Sequence, residues 1–115
     1  MSVNDFLTQI KANTPVNFTD TMTVISENYT YQPTAFRNGS LENAAGQNEG
    51  SCKIFAFARL HELSEAQTLQ LFGDYYRIDV LDHPDATDHQ NIRQFMQHGW
   101  EGISFENEAL QVLNA

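Results

Sequence analysis

The amino-acid sequence predicts an α+β fold, a cluster of about five helices with a small antiparallel β-sheet. Three observations predict it. Of the 115 residues, 41% are hydrophobic, eight Phe and four Tyr among them, which is enough to bury a core. Apolar residues recur at helical spacing in several separate stretches. Around them stand short strings carrying Pro33, Asn38-Gly39 and the alternating Ile103-Ser104-Phe105, which suit strands and tight turns. The length fits a single domain over residues 1–115, since folded units usually hold about 100 to 150 residues.

Val3, Phe6, Leu7 and Ile10 fall on one helical face, and Ser2 with Asp5 forms a variant of the capping box, so a first helix is predicted to end by Pro15. Phe18, Met22, Ile25 and Tyr29 keep the same spacing and predict a second helix over 19–29. Tyr31 to Arg37 contains Pro33 and precedes Asn38-Gly39, which predicts an edge strand and a hairpin turn. Residues 43–51 are small, polar and Gly-punctuated. They predict a surface loop that ends at a Ser51 cap, with a central helix starting at Cys52 whose Ile54, Phe55, Phe57, Ala58 and Leu60 cover most of its circumference. The Ser64-x-x-Gln67 capping box opens a helix whose stripe runs through Leu69, Phe72, Tyr76 and Val80 across Gly73 and stops before His83-Pro84. Asp88 is placed to cap a last helix bearing Ile92, Phe95 and Met96. Gly99 suits its left-handed C′ position, with Trp100 against Phe95 in a Schellman arrangement. Ala109 to Leu113 is expected to return as the hairpin partner of Ile103–Phe105, a short terminal helix being the alternative.

A formal charge of -9 opposes phosphate backbones, so nucleic acid is not an expected partner. No run approaches the roughly 18 apolar residues of a membrane span, and residues 1–14 lack the basic and apolar regions of a secretory signal. Cys52 stands alone and cannot form an internal disulfide, which favours a reducing compartment. Gly46 and Gly50 are not followed by Gly-Lys-Ser/Thr, and no cofactor is expected.

Long strings in the chain carry a resemblance: Pro33-Thr34-Ala35-Phe36-Arg37-Asn38-Gly39, then Ala45-Gly46-Gln47-Asn48-Glu49-Gly50-Ser51-Cys52-Lys53-Ile54-Phe55-Ala56-Phe57-Ala58. It continues in Leu71-Phe72-Gly73-Asp74-Tyr75-Tyr76-Arg77, Asp88-His89-Gln90-Asn91-Ile92-Arg93 and His98-Gly99-Trp100. These strings resemble the HopJ type III effector family over nearly the whole chain. The resemblance implies a bacterial protein delivered into a host cell by type III secretion, and it transfers no catalytic residue or cofactor. Where the family pattern leads one to expect a glycine after Ile103–Phe105, this chain has Asn107, which tolerates positive φ.

Two functional readings follow. In the first, the protein works by association with another protein, and the 43–51 and 82–90 loops are its candidate surfaces. In the second it is a cysteine-dependent hydrolase or acyltransferase. Cys52, at a helix start beside Lys53, would be the nucleophile, and Asp88-His89 with Asn91, or His98, would supply the base and its orienting group. Cys52 also reads as a small packed residue of a central helix. His83, Asp85, Asp88 and His89 gather metal-ligating types in one loop, although their spacing matches no established site. Tyr75, Tyr76 and Arg77 are a common interface combination, and His61 reads as a polar tip facing solvent.

Overall fold

The computed structural model describes residues 2–113. Helix α1 (Val3–Lys11) opens at Ser2, whose hydroxyl accepts the Asp5 N–H at 3.1 Å, and its stripe buries Phe6 and Ile10. Helix α2 (Phe18–Asn28) buries Thr21, Val24 and Ile25. Helix α3 (Glu49–Leu60) is the centre: Ile54, Phe55, Phe57 and Ala58 are all fully buried. Around Phe55 stand the rings of Phe36, Phe72, Phe95 and Trp100, at centroid distances of 5.0 to 6.5 Å. Burial of one such ring stabilises the fold by about 1.5–3 kcal/mol. Helix α5 (Gln90–His98) supplies Phe95 and Ile92 to this core and carries Met96 outward.

The strands form two small antiparallel sheets. Strand β2 (Phe36–Asn38) is central to the larger one, paired with β3 (Leu41–Asn43) through a turn at Gly39 (φ +61°) and with β4 (Ile103–Phe105) on its other edge. Strand β1 (Tyr29–Tyr31) pairs with β5 (Leu110–Val112). The α+β class and the Asn38-Gly39 hairpin are as the sequence predicts, but the edge strand expected over Tyr31 to Arg37 is not: residues 32–35 lie outside any strand, and β2 has a partner on each side.

Five local expectations are corrected. First, β4 and β5 do not pair with each other: Phe105 stacks on Phe36 at 5.3 Å and Gln32 donates its N–H to Ala109 at 2.8 Å. The alternating pattern identified strands, and the aromatic partner and the earlier strand decided the pairing. Second, Asn107 is not at positive φ, because residues 106–109 cross between sheets instead of closing a tight turn.

Third, the predicted helix from Ser64 to Asp82 is two pieces. Helix α4 (Glu65–Gln70) keeps the Ser64–Gln67 box, and a π-helical segment, Tyr75–Val80, follows Gly73. Gly73 sits at φ +63°, and a Cβ there would lie 2.6 Å from the Phe18 nitrogen, so the break lets α2 approach. Arg77 fastens the segment by donating to the Val16 carbonyl at 2.6 Å. Fourth, α3 begins at Glu49 with Asn48 as its N-cap, and α5 begins at Gln90 with His89 as its N-cap. Ser51 and Asp88 are therefore not the caps. Fifth, Gly99 has positive φ but ψ of -155°, outside the left-handed helical region, so the chain runs on into a 3-10 turn, Gly99–Gly102. Trp100 still meets Phe95, at 5.1 Å, and its indole donates to the Leu63 carbonyl at 3.0 Å.

Candidate functional site

The N-terminal ends of α3 and α5 open onto one cleft of 380 Å³. Its floor is apolar, from Phe18, Phe72 and Ile92. Its walls are Asn48, Gly50 and Ser51 from the first loop and His89 and Gln90 from the second. The two helix starts share an unusual backbone. Asn48 (φ 51°, ψ 48°) and His89 (φ 51°, ψ 47°) are both left-handed, and neither side chain caps its own helix. Non-glycine residues rarely adopt this region, and Asn and His are among those that tolerate it best.

A buried amide network holds the two starts together. The Asn91 side chain accepts from Asn38 Nδ2 at 3.0 Å and from Asn43 Nδ2 at 3.2 Å, and donates to Asn43 Oδ1 at 3.0 Å. Asn48 Nδ2 donates to the same Asn43 oxygen at 2.7 Å. The hairpin β2–β3 is thereby tied to both helix ends.

His89 stands at the cleft mouth with its Nε2 3.0 Å from Asp79 Oδ2 and 3.7 Å from Asp88 Oδ2, and its ring 5.2 Å from that of Tyr75. Its nearest carboxylate is Asp79, which the sequence reading did not single out. Asp88 turns to Arg93 at 2.7 Å, and this guanidinium first, then the neighbouring His89, holds its carboxyl below the usual range. Tyr75 leans on Phe18 at 5.0 Å, and Tyr76 packs against the core.

Cys52 lies elsewhere. It is 1% exposed, and its thiol donates to the Thr34 carbonyl at 3.6 Å. Burial pushes the thiol pKa up against the lowering effect of its hydrogen bonds. No hydrogen bond joins Cys52 to His89 or His98 among the described residues, and Cys52 does not line the cleft. His83 and Asp85 are exposed on the loop. Among the described residues no three His, Cys, Asp or Glu side chains converge as metal ligands.

His61 is a further correction. Its Nε2 is hydrogen-bonded to the Tyr29 hydroxyl and its ring lies 4.7 Å from that of Phe57, so it is a packed residue with a partner from β1. Burial and then the charge of Lys11 lower its pKa below 6.5, which favours the neutral ring in the folded state. The unfolded chain takes up the proton first as pH falls through about 6.5, so stability drops in that window. Urea midpoints measured across the range are expected to show this slope, and His61→Phe to flatten it.

A family model described as HopJ type III effector protein matches residues 3–110. The chain belongs to the HopJ family. The matched span runs from α1 to the first residue of β5, so every wall of the cleft lies within the HopJ region. Among solved structures, the chain is similar to the crystal structure of unknown function protein VPA0580, with a TM-score of 0.95 and 50% identity over 98% of this chain and 95% of that one. No curated protein matches the chain. No helix among the described residues is long and apolar enough to cross a membrane.

Proposed function

We propose that this HopJ protein acts by binding another protein at the cleft between the 43–51 and 82–90 loops. The observation that carries the reading is that two loops some forty residues apart in sequence wall a single recess. An aromatic floor suits one or two apolar side chains of an extended segment, and the amide and hydroxyl groups above it suit that segment's carbonyl oxygens. Delivery from the bacterial cytoplasm into a host cell is the part of the proposal supported by the family description alone.

The competing reading, a cysteine enzyme working through Cys52 with His89 and Asp88, requires a reactive thiolate, and the burial of the thiol opposes one. Iodoacetamide labelling of the native protein near neutral pH decides between them. Labelling is expected only after denaturant is added. Rapid labelling of the folded chain that slows in His89→Ala would overturn the binding reading in favour of the enzyme. The site itself is tested by a photoreactive amino acid at Gln90, which is expected to cross-link one partner protein, with loss of the cross-link in Phe18→Lys. A translocation reporter fused to the chain tests delivery separately.

A further inference from the structure

The far end of α3 from the cleft borders a second recess, of 380 Å³, which shares no lining residue with the first. One wall is a single face of α3, with Ala56, Arg59 and Leu60 at i, i+3 and i+4. The other is the segment 106–109, which crosses from the larger sheet to the smaller one. Both ends of that segment are fastened: the Glu106 N–H donates to the Ala35 carbonyl at 3.1 Å, and the Ala109 carbonyl accepts from the Gln32 N–H at 2.8 Å. The wall is therefore preformed, which lowers the cost of ordering it around a ligand.

Leu60, 52% exposed, and the half-buried Phe105 give the recess an apolar side. Charges of both signs line it, Arg59 from the helix and Glu106 and Glu108 from the crossing segment. Arg37, Arg77 and Arg93 each pair with a carboxylate. Arg59 forms no ion pair among the described residues, although two glutamates share its recess, and neither glutamate forms one elsewhere. The glutamates oppose a purely anionic ligand, and Arg59 opposes a purely cationic one. A small molecule that carries both charges beside an apolar group satisfies all three side chains and covers the apolar side.

We propose that this recess binds a free α-amino acid with an apolar side chain, its carboxylate on Arg59, its ammonium group on Glu106 and Glu108, and its side chain against Leu60 and Phe105. A guanidinium holds a carboxylate through two parallel N–H donors, so Arg59 sets the orientation of the ligand. The glutamates then select for an unblocked amine. The volume lies at the low end of the range for small-molecule sites, which suits a single amino acid. Occupancy of the recess does not depend on what the cleft binds.

The test is a titration of the isotope-labelled full chain with L-leucine, followed by amide chemical shifts. Saturable shifts are expected at Arg59, Leu60 and residues 106–110, and none at Gly50, Ser51 and Gln90 of the cleft. N-acetyl-leucine, which lacks the ammonium group, and leucinamide, which lacks the carboxylate, are each expected to bind roughly tenfold more weakly or worse. Arg59→Gln is expected to lose the preference for leucine over leucinamide, and Glu106→Gln with Glu108→Gln the preference for leucine over N-acetyl-leucine. All three side chains are exposed, so these variants are expected to keep the wild-type urea midpoint. No saturable shift at about 10 mM leucine, shifts confined to the cleft, equal binding of the blocked analogues, or preferences unchanged in the variants would overturn the proposal. So would tighter binding of a peptide that begins with leucine, because the recess would then take a chain end and not a free amino acid.

Discussion

Phe55→Ala is expected to lower the unfolding free energy by about 3–5 kcal/mol, the range for deleting a buried aromatic ring. The site justifies the upper part of that range. Phe55 is fully buried on the central helix, and its ring is surrounded by four others contributed by β2, the α4 end, α5 and the 3-10 turn. Four separate elements cannot all move inward to fill the space, and the cost of such a deletion grows with the cavity that remains. Urea denaturation followed by tryptophan fluorescence measures it, since Trp100 is one of the four neighbours. Phe55→Leu keeps most of the volume and should retain more than half of the lost stability. A loss below about 1.5 kcal/mol for the alanine variant would mean that α3 is not the centre of packing.

That central role was legible in the residues themselves. Ile54, Phe55, Phe57 and Ala58 cover most of the helix circumference and are buried as that pattern requires, whereas Leu60, which the spacing assigned to the same set, is 52% exposed at the helix end. The capping signals at Ser2 and Ser64 were equally local, because a hydroxyl and an N–H three residues on meet through backbone geometry alone. The pairing of β4 and β5 was not legible. Ile103–Phe105 alternates whichever neighbour it has, and the choice of Phe36 as the partner of Phe105 comes from a strand almost seventy residues earlier. The break at Gly73 was visible as a weak helix former. The reason for it, the closeness of the Phe18 backbone, was not.

The site divides in the same way. Polarity and glycine marked residues 43–51 as a surface loop, but only 44–48 are one, since Asn43 is buried in β3 and α3 begins at Glu49, while the polar 82–90 loop is exposed except at His89. Their meeting at one cleft depends on α3 and α5 being laid with their starts together, and although Asn43 and Asn48 of the first segment take part in the tie, their pairing with Asn91 over forty residues on had no local signal. Cys52 drew notice by chemical type, and the fold places it under Thr34 where a thiol serves packing. Asp79 sits on a π-helical segment that the spacing did not predict, so its approach to His89 had no signal in the sequence.

Asn91 supplies the second large effect. Asn91→Ala is expected to cost about 1–3 kcal/mol, because it removes one of two partners from each of Asn38 Nδ2, Asn43 Nδ2 and Asn43 Oδ1 in a buried region, although Asn38 keeps the residue 91 carbonyl and Asn43 keeps Phe36 and Asn48. Asn91→Asp keeps the shape and sharpens the argument. The new carboxylate would face Asn43 Oδ1, and burial would raise its pKa in the folded state above the unfolded value. An acid with a raised folded pKa takes up its proton first in the native protein, so this variant is expected to regain stability as pH falls from 7 toward 4, whereas Asn91→Ala is not. The cleft should follow the network. Asn48 and Asn91 both line it and both bond to Asn43, so amide shifts at Gly50, Ser51 and Gln90 are expected to move in either variant. If those three amides were unmoved, the two helix starts would be held by the core alone, and the asparagines would be fillers of space and not the tie between the hairpin and the cleft.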